Sequence, residues 1–266
     1  MTSVTDPFYA FDKPLTMEHT DSRSEMVHAL LRRVQQKLEL ESVIDLGCGP
    51  GLLSPMLSSL GLDYVGIDTR EENVAEALRR YPDKMFRNQD VVTDDPAKLG
   101  SYDITFCFGL LYHIEDLILA LRNMHSITKK VMIVETELVP LDYPGTILSD
   151  RVGTEGSIAG ATGFTASVPS LSGLIYMLYH VGFPFVYLPS AQPDHTYFRE
   201  SALRHQKRIV ALASREELDI EGLILQPKPD MAGNQIIDKQ TILARIIRAV
   251  GPFGPFAIRR VLRKKI

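Results

Sequence analysis

The strongest chemical pattern in the sequence is an acid followed by three glycines at alternate positions. Residues 43–51 read VIDLGCGPG, so a short apolar run ends at Asp45 and is followed by Gly47, Gly49 and Gly51. Glycines at a turn between a strand and a helix let the backbone approach a ligand closely. The spacing differs from the G-x-G-x-x-G of dinucleotide sites. An acid at the strand tip would repel a pyrophosphate, and it suits a ligand that carries a cationic amine.

Three further polar signals follow the next predicted strands. Asp68 ends the run YVGID, where a carboxylate can accept hydrogen bonds from both hydroxyls of a ribose. Asp90 could accept from an adenine amine while Val91 packs on the ring. The fourth strand opens at Phe108 into the loop FGLLYH. Because the carboxyl ends of parallel strands meet at one edge of a sheet, these residues are expected to share one site.

Short apolar runs alternate with amphipathic helical runs, which predicts a doubly wound α/β fold. Strands are predicted at residues 42–45, 63–68, 84–88, 102–108, 130–135, 185–188 and 208–214. Helices are predicted at residues 20–40, 52–60, 70–81, 114–127 and 169–181. The predicted organisation is an N-terminal helical cap (1–41), a central domain (42–214) with a lid at about 140–183, and a basic, helical C-terminal extension (215–266).

The motifs DLGCGPG, VGID, NQDVV and YDITFCFGLLYHIED together resemble those of class I S-adenosylmethionine-dependent methyltransferases. The resemblance covers about residues 42–135 and extends more weakly to about Ser214. It implies a Rossmann-like, seven-stranded mixed sheet, S-adenosylmethionine as cofactor and methyl transfer as the reaction. It also assigns cofactor binding to Asp45, Gly47, Cys48, Gly49, Gly51, Asp68, Thr69, Gln89, Asp90, Val91, Phe108, Gly109, Leu110 and His113.

Transfer of a methyl group to a hydroxyl would be helped by a general base. His113 is the first candidate, because it follows the fourth strand next to the expected methyl group, and Glu135 at the tip of the fifth strand is the second. Each has a structural alternative: His113 could cap a helix, and Glu135 could bond neighbouring backbone. His19, His180 and His195 are more distant candidates.

Two further sets of residues allow a functional and a plainer interpretation. His19 and Arg23 lie four positions apart, so they could face the cofactor carboxylate from one helix or belong to a solvated helix end. Cys48 is better explained as a small filler between glycines than as a nucleophile. Asp94 and Asp95 are better explained as a helix start than as metal ligands, and no metal site is predicted.

The acceptor is addressed by a fainter resemblance. The runs GLLYHIEDLILALRNMHSITKKVMIVET and PSLSGLIYMLYHVGF are similar to bacterial O-methyltransferases that act on sugars or secondary metabolites. They also resemble the carboxymethyl-transferring enzyme of the tRNA wobble uridine, but the large N-terminal RNA-facing domain of that enzyme is not expected in this chain, which ranks the tRNA hypothesis lower. The preferred hypothesis is O-methylation of a hydroxyl on a sugar, glycan or secondary metabolite. The alternatives are a tRNA-modifying transferase and a cofactor-binding scaffold without catalysis.

Composition limits the protein class. The chain has 266 residues, a net charge of −4 and 45% hydrophobic residues, which is ordinary for a soluble globular protein. No apolar run reaches the roughly 18 residues of a spanning helix, and no signal peptide is visible. Two cysteines do not form a disulfide framework, so a cytoplasmic location is predicted. The acidic balance argues against nucleic acid as a general partner.

The positive charge is concentrated at the C-terminus. Residues 239–266 carry eight basic side chains and no acid. They are interpreted as a solvated helix face, with weak contact to an anionic lipid surface or lipid-linked glycan as the functional alternative. The sequence makes no prediction of the oligomeric state.

Overall fold

The computed structural model describes residues 8–149, 165–199 and 207–229. Its main sheet has eight strands in the order β10-β8-β9-β5-β4-β1-β2-β3. They are β1 (Ser42–Leu46), β2 (Asp63–Asp68), β3 (Met85–Asn88), β4 (Tyr102–Phe108), β5 (Thr128–Leu138), β8 (Phe185–Pro189), β9 (Lys207–Ser214) and β10 (Leu223–Leu225). A separate hairpin consists of β6 (Thr146–Ser149) and β7 (Ala166–Pro169).

Strand direction divides the sheet into two parts. β3, β2, β1, β4 and β5 are parallel neighbours, whereas β9, β8 and β10 are joined to that set by antiparallel pairs. From β1 the chain passes to β2 on one side and later to β4 on the other. The crevice above the carboxyl end of β1 is therefore a topological switch point, where doubly wound sheets bind ligands.

Helices cover both faces of the sheet. They are α1 (Tyr9–Asp12), α2 (Pro14–Gln35), α3 (Ser54–Ser58), α4 (Glu71–Arg80), α5 (Pro96–Leu99), α6 (Leu117–Ile127) and α7 (Leu171–His180). Short 3-10 turns span Leu111–His113 and Thr196–Phe198. α2 buries Val27, Leu30 and Val34 in the core of one face, while α6 and α7 bury apolar residues in the core of the other.

The predicted α/β Rossmann-like fold is confirmed, and all seven predicted strands are present within a few residues of their predicted bounds. The structure differs from the prediction in several details, three of which concern the helices and strands named next. An eighth strand, Leu223–Leu225, lies within the segment expected to be a C-terminal extension. α2 begins at Pro14 rather than near residue 20, because proline is well suited to the first turn of a helix. α7, assigned to the lid, buries Leu174 and Leu178 completely and so belongs to the core.

Among the described helices, none combines the length and apolarity needed to cross a bilayer. The basic segment at residues 239–266 lies outside the described residues.

Candidate active site

A cavity of about 650 Å³ lies above the carboxyl ends of β1–β4 and continues towards β9. Every residue predicted to bind the cofactor lines it, with the exception of Gly51. His113 also lines it, from the 3-10 turn that follows β4, whereas Glu135 does not. The expectation that separate strand ends would form one site therefore agrees with the geometry.

The turn after β1 depends on glycine conformations. Gly47 has φ +67° and Gly49 has φ +53°, a left-handed region that L side chains rarely adopt. A Cβ atom on Gly47 would lie 2.9 Å from Leu110 Cδ1, and one on Gly49 would lie 3.3 Å from Phe11 Cε1. The backbone here is closely approached by side chains of two other segments, so no larger residue fits without displacement.

Gly51 has a different role from the one predicted. It does not line the cavity, and a Cβ atom there would lie 2.8 Å from Phe86 Cζ and 3.1 Å from Tyr81 Cδ2. Its φ of +79° and these contacts explain the glycine through packing of the turn against β3. The alternate spacing alone could not distinguish a ligand contact from a packing contact.

Asp68 joins two loops at the tip of β2. Its Oδ2 accepts a hydrogen bond from the Gly49 backbone N–H at 2.9 Å. Its Oδ1 accepts from the Arg70 backbone N–H at 3.0 Å and from Asn73 Nδ2 at 3.1 Å. The carboxylate is thereby fixed at the cavity wall, beside the glycine turn.

Asp45 is buried at the tip of β1, where its Oδ2 accepts a hydrogen bond from the Tyr64 hydroxyl at 3.0 Å. Burial raises the pKa of Asp45 to about 7, although the Tyr64 hydrogen bond and the Arg23 charge act in the opposite direction. A cation bound in the cavity would favour the ionised form. The site therefore fits a ligand that carries an ammonium group.

The loop after β3 is held by hydrogen bonds to its backbone. Asp90 Oδ1 accepts from the Val92 N–H at 2.7 Å, and Asn123 Nδ2 donates to the Val91 carbonyl at 2.9 Å. Gln89 Oε1 is buried without a hydrogen-bond partner among the described residues. An unpartnered acceptor beside a cavity fits a ligand amine, such as the exocyclic amine of adenine.

Glu135, the second predicted base, is fully buried behind the cavity wall. Its Oε2 accepts a hydrogen bond from Arg23 Nη1 and its Oε1 from Arg208 Nη1, each at 2.9 Å. Burial by itself would raise the pKa of Glu135, but the charges of Arg208 and Arg23 outweigh it and lower the pKa. Since both oxygens are occupied and no cavity contact exists, the prediction of a general base is corrected: Glu135 positions two arginines.

Arg208 connects this pair to further groups. Its Nη2 donates to the Tyr112 hydroxyl at 2.8 Å and to Glu137 Oε1 at 2.9 Å. Its guanidinium also lies 4.6 Å from the centre of the Tyr112 ring. Burial by itself would lower the pKa of Arg208. The negative charges of Glu135 and Glu137 outweigh burial and raise this pKa above its usual value, so Arg208 stays charged. Arg208 and Tyr112 form part of the cavity wall near β9.

His19 lines the same end of the cavity from α2. Its ring centre lies 5.1 Å from that of His195 and 4.9 Å from that of Tyr197. Burial and the charges of Arg23 and Arg208 lower the pKa of His19 to about 2, so the imidazole is uncharged. Nε2 is buried and has no hydrogen-bond partner among the described residues.

The other residues considered for catalysis either do not line the cavity or are not reactive. His195 packs against His19 without lining the cavity, and His180 is exposed at the end of α7, away from it. Burial raises the pKa of Cys48, which agrees with a filler rather than a nucleophile. In the described parts of the chain, no group of His, Cys, Asp or Glu side chains could hold a metal ion.

Sequence reasoning missed several cavity-lining residues, among them Arg208 and Phe11. Arg208 lies 73 positions from its partner Glu135, and nothing near it in the sequence indicates a site. Phe11 reaches the glycine turn from α1, which is held by a double hydrogen bond between Asp12 and Arg80, with both distances 2.9 Å. The aromatic N-terminal segment was the available signal for Phe11.

The sequence profile of a family described as "Methyltransferase domain" matches residues 17–155, just over half of the chain. The chain belongs to this methyltransferase family. The predicted resemblance is thereby confirmed. The match covers most of α2 and the whole parallel part of the sheet of the methyltransferase domain, together with the turns after β1–β4 that line the cavity.

Curated relatives of this methyltransferase include two ubiquinone biosynthesis O-methyltransferases. The protein from Xanthomonas euvesicatoria is 33% identical over 119 residues, which cover 41% of this chain and 50% of the relative. The protein from Bradyrhizobium diazoefficiens is 32% identical over 101 residues, covering 35% and 39%. The chain therefore matches half or less of the length of these relatives.

Solved structures share the fold of this methyltransferase at low identity. The N-terminal domain of EvdMO1, solved with S-adenosylhomocysteine (SAH) bound, has a TM-score of 0.59 and 20% identity to this chain. The match covers 72% of this chain and 80% of that one. The sugar N-methyltransferase KedS8 from Streptoalloteichus has a TM-score of 0.54, 19% identity, and coverage of 82% and 94%. Magnesium protoporphyrin IX methyltransferase from Synechocystis with bound SAM has a TM-score of 0.53, 18% identity, and coverage of 81% and 86%.

Proposed function

We propose that the chain transfers the methyl group of S-adenosylmethionine to a hydroxyl of a sugar, glycan or secondary metabolite. The observation that carries this proposal is the single cavity that begins at the acid-tipped loops after β1–β3 and continues to His19 and Arg208. Such a cavity has room for a cofactor at one end and an acceptor at the other. S-adenosylmethionine, when bound, supplies a methyl group already activated by its sulfonium.

The polar groups of the β1–β3 loops match the parts of that cofactor. Asp45 would hold the ammonium group, and Arg23, whose Nε is buried without a partner among the described residues, would hold the carboxylate. Asp68 would accept from the ribose hydroxyls. Gln89 and Asp90 would face the adenine.

The chain's part in the reaction is mainly positioning. The reacting oxygen must lie in line with the activated methyl group, and water must be kept out. His113 lies at the cavity wall beside Tyr112, with ring centres 4.2 Å apart, and remains the candidate that accepts the hydroxyl proton. Glu135 contributes by holding Arg23 and Arg208 in the wall.

The curated relatives are named O-methyltransferases, which supports a hydroxyl as the methyl acceptor. The structural neighbour KedS8 is named a sugar N-methyltransferase, which supports a sugar as the acceptor but not the choice of a hydroxyl. The tRNA alternative is less favoured, because acids outnumber arginines among the cavity-lining residues and a polyanion would be repelled. A cofactor-binding scaffold differs from an enzyme in that it binds the cofactor without methyl transfer, so both quantities must be measured.

Calorimetry with S-adenosylhomocysteine tests cofactor binding. Asp68→Ala removes an acceptor for cofactor and loop, and a hydrogen bond to a charged group contributes about 1.5–3 kcal/mol, so affinity should fall at least about tenfold. Asp63→Ala is the matched control, since Asp63 is exposed at the opposite end of the same strand. If the wild-type protein does not bind S-adenosylhomocysteine, the proposal is wrong.

Transfer is then measured with methyl-labelled S-adenosylmethionine and a panel of neutral sugars, glycans and phenolic or polyketide alcohols. Label should appear in an ether product for at least one hydroxylated acceptor. Tight cofactor binding without transfer to any of them would favour the scaffold. Transfer to unmodified tRNA in preference to small acceptors would favour the RNA-modifying alternative.

A further inference from the structure

The end of the cavity nearest β9 is built differently from the loops that match the cofactor. Its walls include His19 of α2, Tyr112 of the turn after β4, Tyr197 of the turn at Thr196–Phe198, and Arg208 of β9. None of these residues belongs to the loops after β1, β2 or β3. When the cofactor occupies the loops after β1–β3, this end of the cavity is still free to bind a second ligand.

His19 is the polar side chain at this end that most needs a partner. It is only 5% exposed, and its Nε2 has no hydrogen-bond partner among the described residues. Ring contacts with His195, Tyr197 and Phe198 fix the imidazole, so it does not turn away to find a partner. A buried polar atom without a partner is costly, and its persistence beside a cavity points to a ligand.

The state of the imidazole indicates which chemical group would satisfy it. Because burial and two arginines keep His19 uncharged, one ring nitrogen donates and the other accepts. A hydroxyl can donate and accept, so it matches Nε2 in either tautomer. A carboxylate matches only the N–H form, and an ammonium matches only the form with the lone pair.

The surrounding charges disfavour an anionic ligand. The charged side chains that act on His19 are Arg23 and Arg208. Arg208 and Arg23 are also paired from behind with Glu135, and Arg208 with Glu137. These arginines position neighbouring groups but leave no excess positive charge for a phosphate or carboxylate.

We propose that this end is the acceptor subsite, that it takes an uncharged polyhydroxylated ring such as a neutral hexose, and that His19 Nε2 hydrogen-bonds one ring hydroxyl. The inference rests on the proposed function, since it names the class of acceptor. Tyr197, half-buried beside His19, provides an aromatic surface for the apolar edge of a sugar ring.

The test uses the full chain saturated with S-adenosylhomocysteine and labelled with 15N at histidine. Methyl glucoside, methyl fucoside and methyl galactoside are titrated and compared with methyl glucuronide and glucose 6-phosphate. A neutral glycoside should bind at least tenfold more tightly than its charged counterparts and should shift the imidazole signals of His19, assigned by their loss in His19→Gln.

His19→Gln should weaken the neutral glycoside at least tenfold and change the affinity for S-adenosylhomocysteine less than twofold. His180→Gln is the matched control, because His180 is exposed on α7 and does not line the cavity. If His19→Gln unfolds, His19→Asn replaces it at the same readouts.

Several results would overturn the inference. These are tighter binding of the glucuronide or the phosphate, no binding of any neutral glycoside to the saturated protein, or equal glycoside binding by the wild type and a folded His19 variant. A failure of the proposed function gives a different pattern: either S-adenosylhomocysteine does not bind, or a neutral glycoside binds through His19 and is never methylated.

Discussion

The two ends of the cavity are assembled in opposite ways. The cofactor end consists of short loops that directly follow β1–β4. Backbone groups form part of its wall; for example, the Gly49 N–H donates a hydrogen bond to Asp68. The other end uses side chains brought together from distant segments: Arg208 is hydrogen-bonded to Glu135, 73 positions away, and to the Tyr112 hydroxyl, 96 positions away. The proposed cofactor end is therefore formed by residues close together in the sequence, and the proposed acceptor end by residues that only the completed fold brings together.

The largest effect is expected where the distant segments meet. Glu135→Gln leaves Arg23 and Arg208 without their shared buried counter-charge, and losing one member of a buried ion pair typically costs about 3–5 kcal/mol of unfolding free energy. Urea unfolding measures the loss. Glu137→Gln is the control and should cost less, because Glu137 pairs with one of the two arginines and is partly exposed. Equal losses of unfolding free energy in the two variants would show that pairing with both arginines does not make Glu135 more important than Glu137.

The cofactor end should respond to backbone changes. Gly47→Ala and Gly61→Ala both place a side chain at positive φ, +67° and +74°, which costs roughly 1–2 kcal/mol each. Only Gly47 has a close neighbour, Leu110 Cδ1 at 2.9 Å from the new Cβ, whereas Gly61 has nothing within 4 Å. Gly47→Ala should therefore also weaken S-adenosylhomocysteine binding in calorimetry, and Gly61→Ala should not. The same affinity in both variants would show that the turn does not contact the cofactor.

A smaller effect is expected from pH. The pKa of Asp45 rises from its ordinary value of 3.8 to about 7 on folding, chiefly through burial. As pH rises, the Asp45 carboxyl loses its proton at a lower pH in the unfolded chain than in the folded one. The free energy of unfolding of the ligand-free protein therefore falls between pH about 4 and about 7, and Asp45 lowers it no further above pH about 7. S-adenosylhomocysteine carries an ammonium group and should bind more tightly over the same rise, by at most about tenfold per pH unit.

Asp45→Asn should flatten the pH dependence of both quantities. Calorimetric titrations at pH 5.5, 6.5, 7.5 and 8.5 compare the variant with the wild type. An unchanged slope in Asp45→Asn would assign the dependence to another group and would remove the argument that Asp45 receives the ammonium.

Sequence reasoning succeeded where the chemistry follows a strand directly. Asp45, Asp68 and Asp90 line the cavity because parallel strands bring their carboxyl ends to one edge. It failed for Glu135, which pairs with Phe108 at the end of β4 but lies three residues before the end of β5. Whether that carboxylate faces a ligand or two arginines depends on segments more than 70 positions away, which no local pattern records.

The same reasoning explains the remaining differences. Leu223–Leu225 is a strand of three residues, too short for alternation of apolar and polar positions to identify it. Phe11 reaches the glycine turn through the Asp12–Arg80 pair, whose members are 68 positions apart. α7 has the apolar content of a core helix, but its position after a long Gly- and Ser-rich stretch suggested a lid.

The eighth strand determines where the chain could be shortened. The hydroxyl of Tyr187, a buried residue of β8, accepts a hydrogen bond from the Leu218 backbone N–H at 2.8 Å, and the Tyr179 hydroxyl donates to the Gln226 carbonyl at 2.6 Å. A truncated protein that stops at Ser214 would lose both partners and turn β8 into a bare sheet edge, prone to pair with another molecule. One that stops at Lys228 keeps both hydrogen bonds and the covered edge.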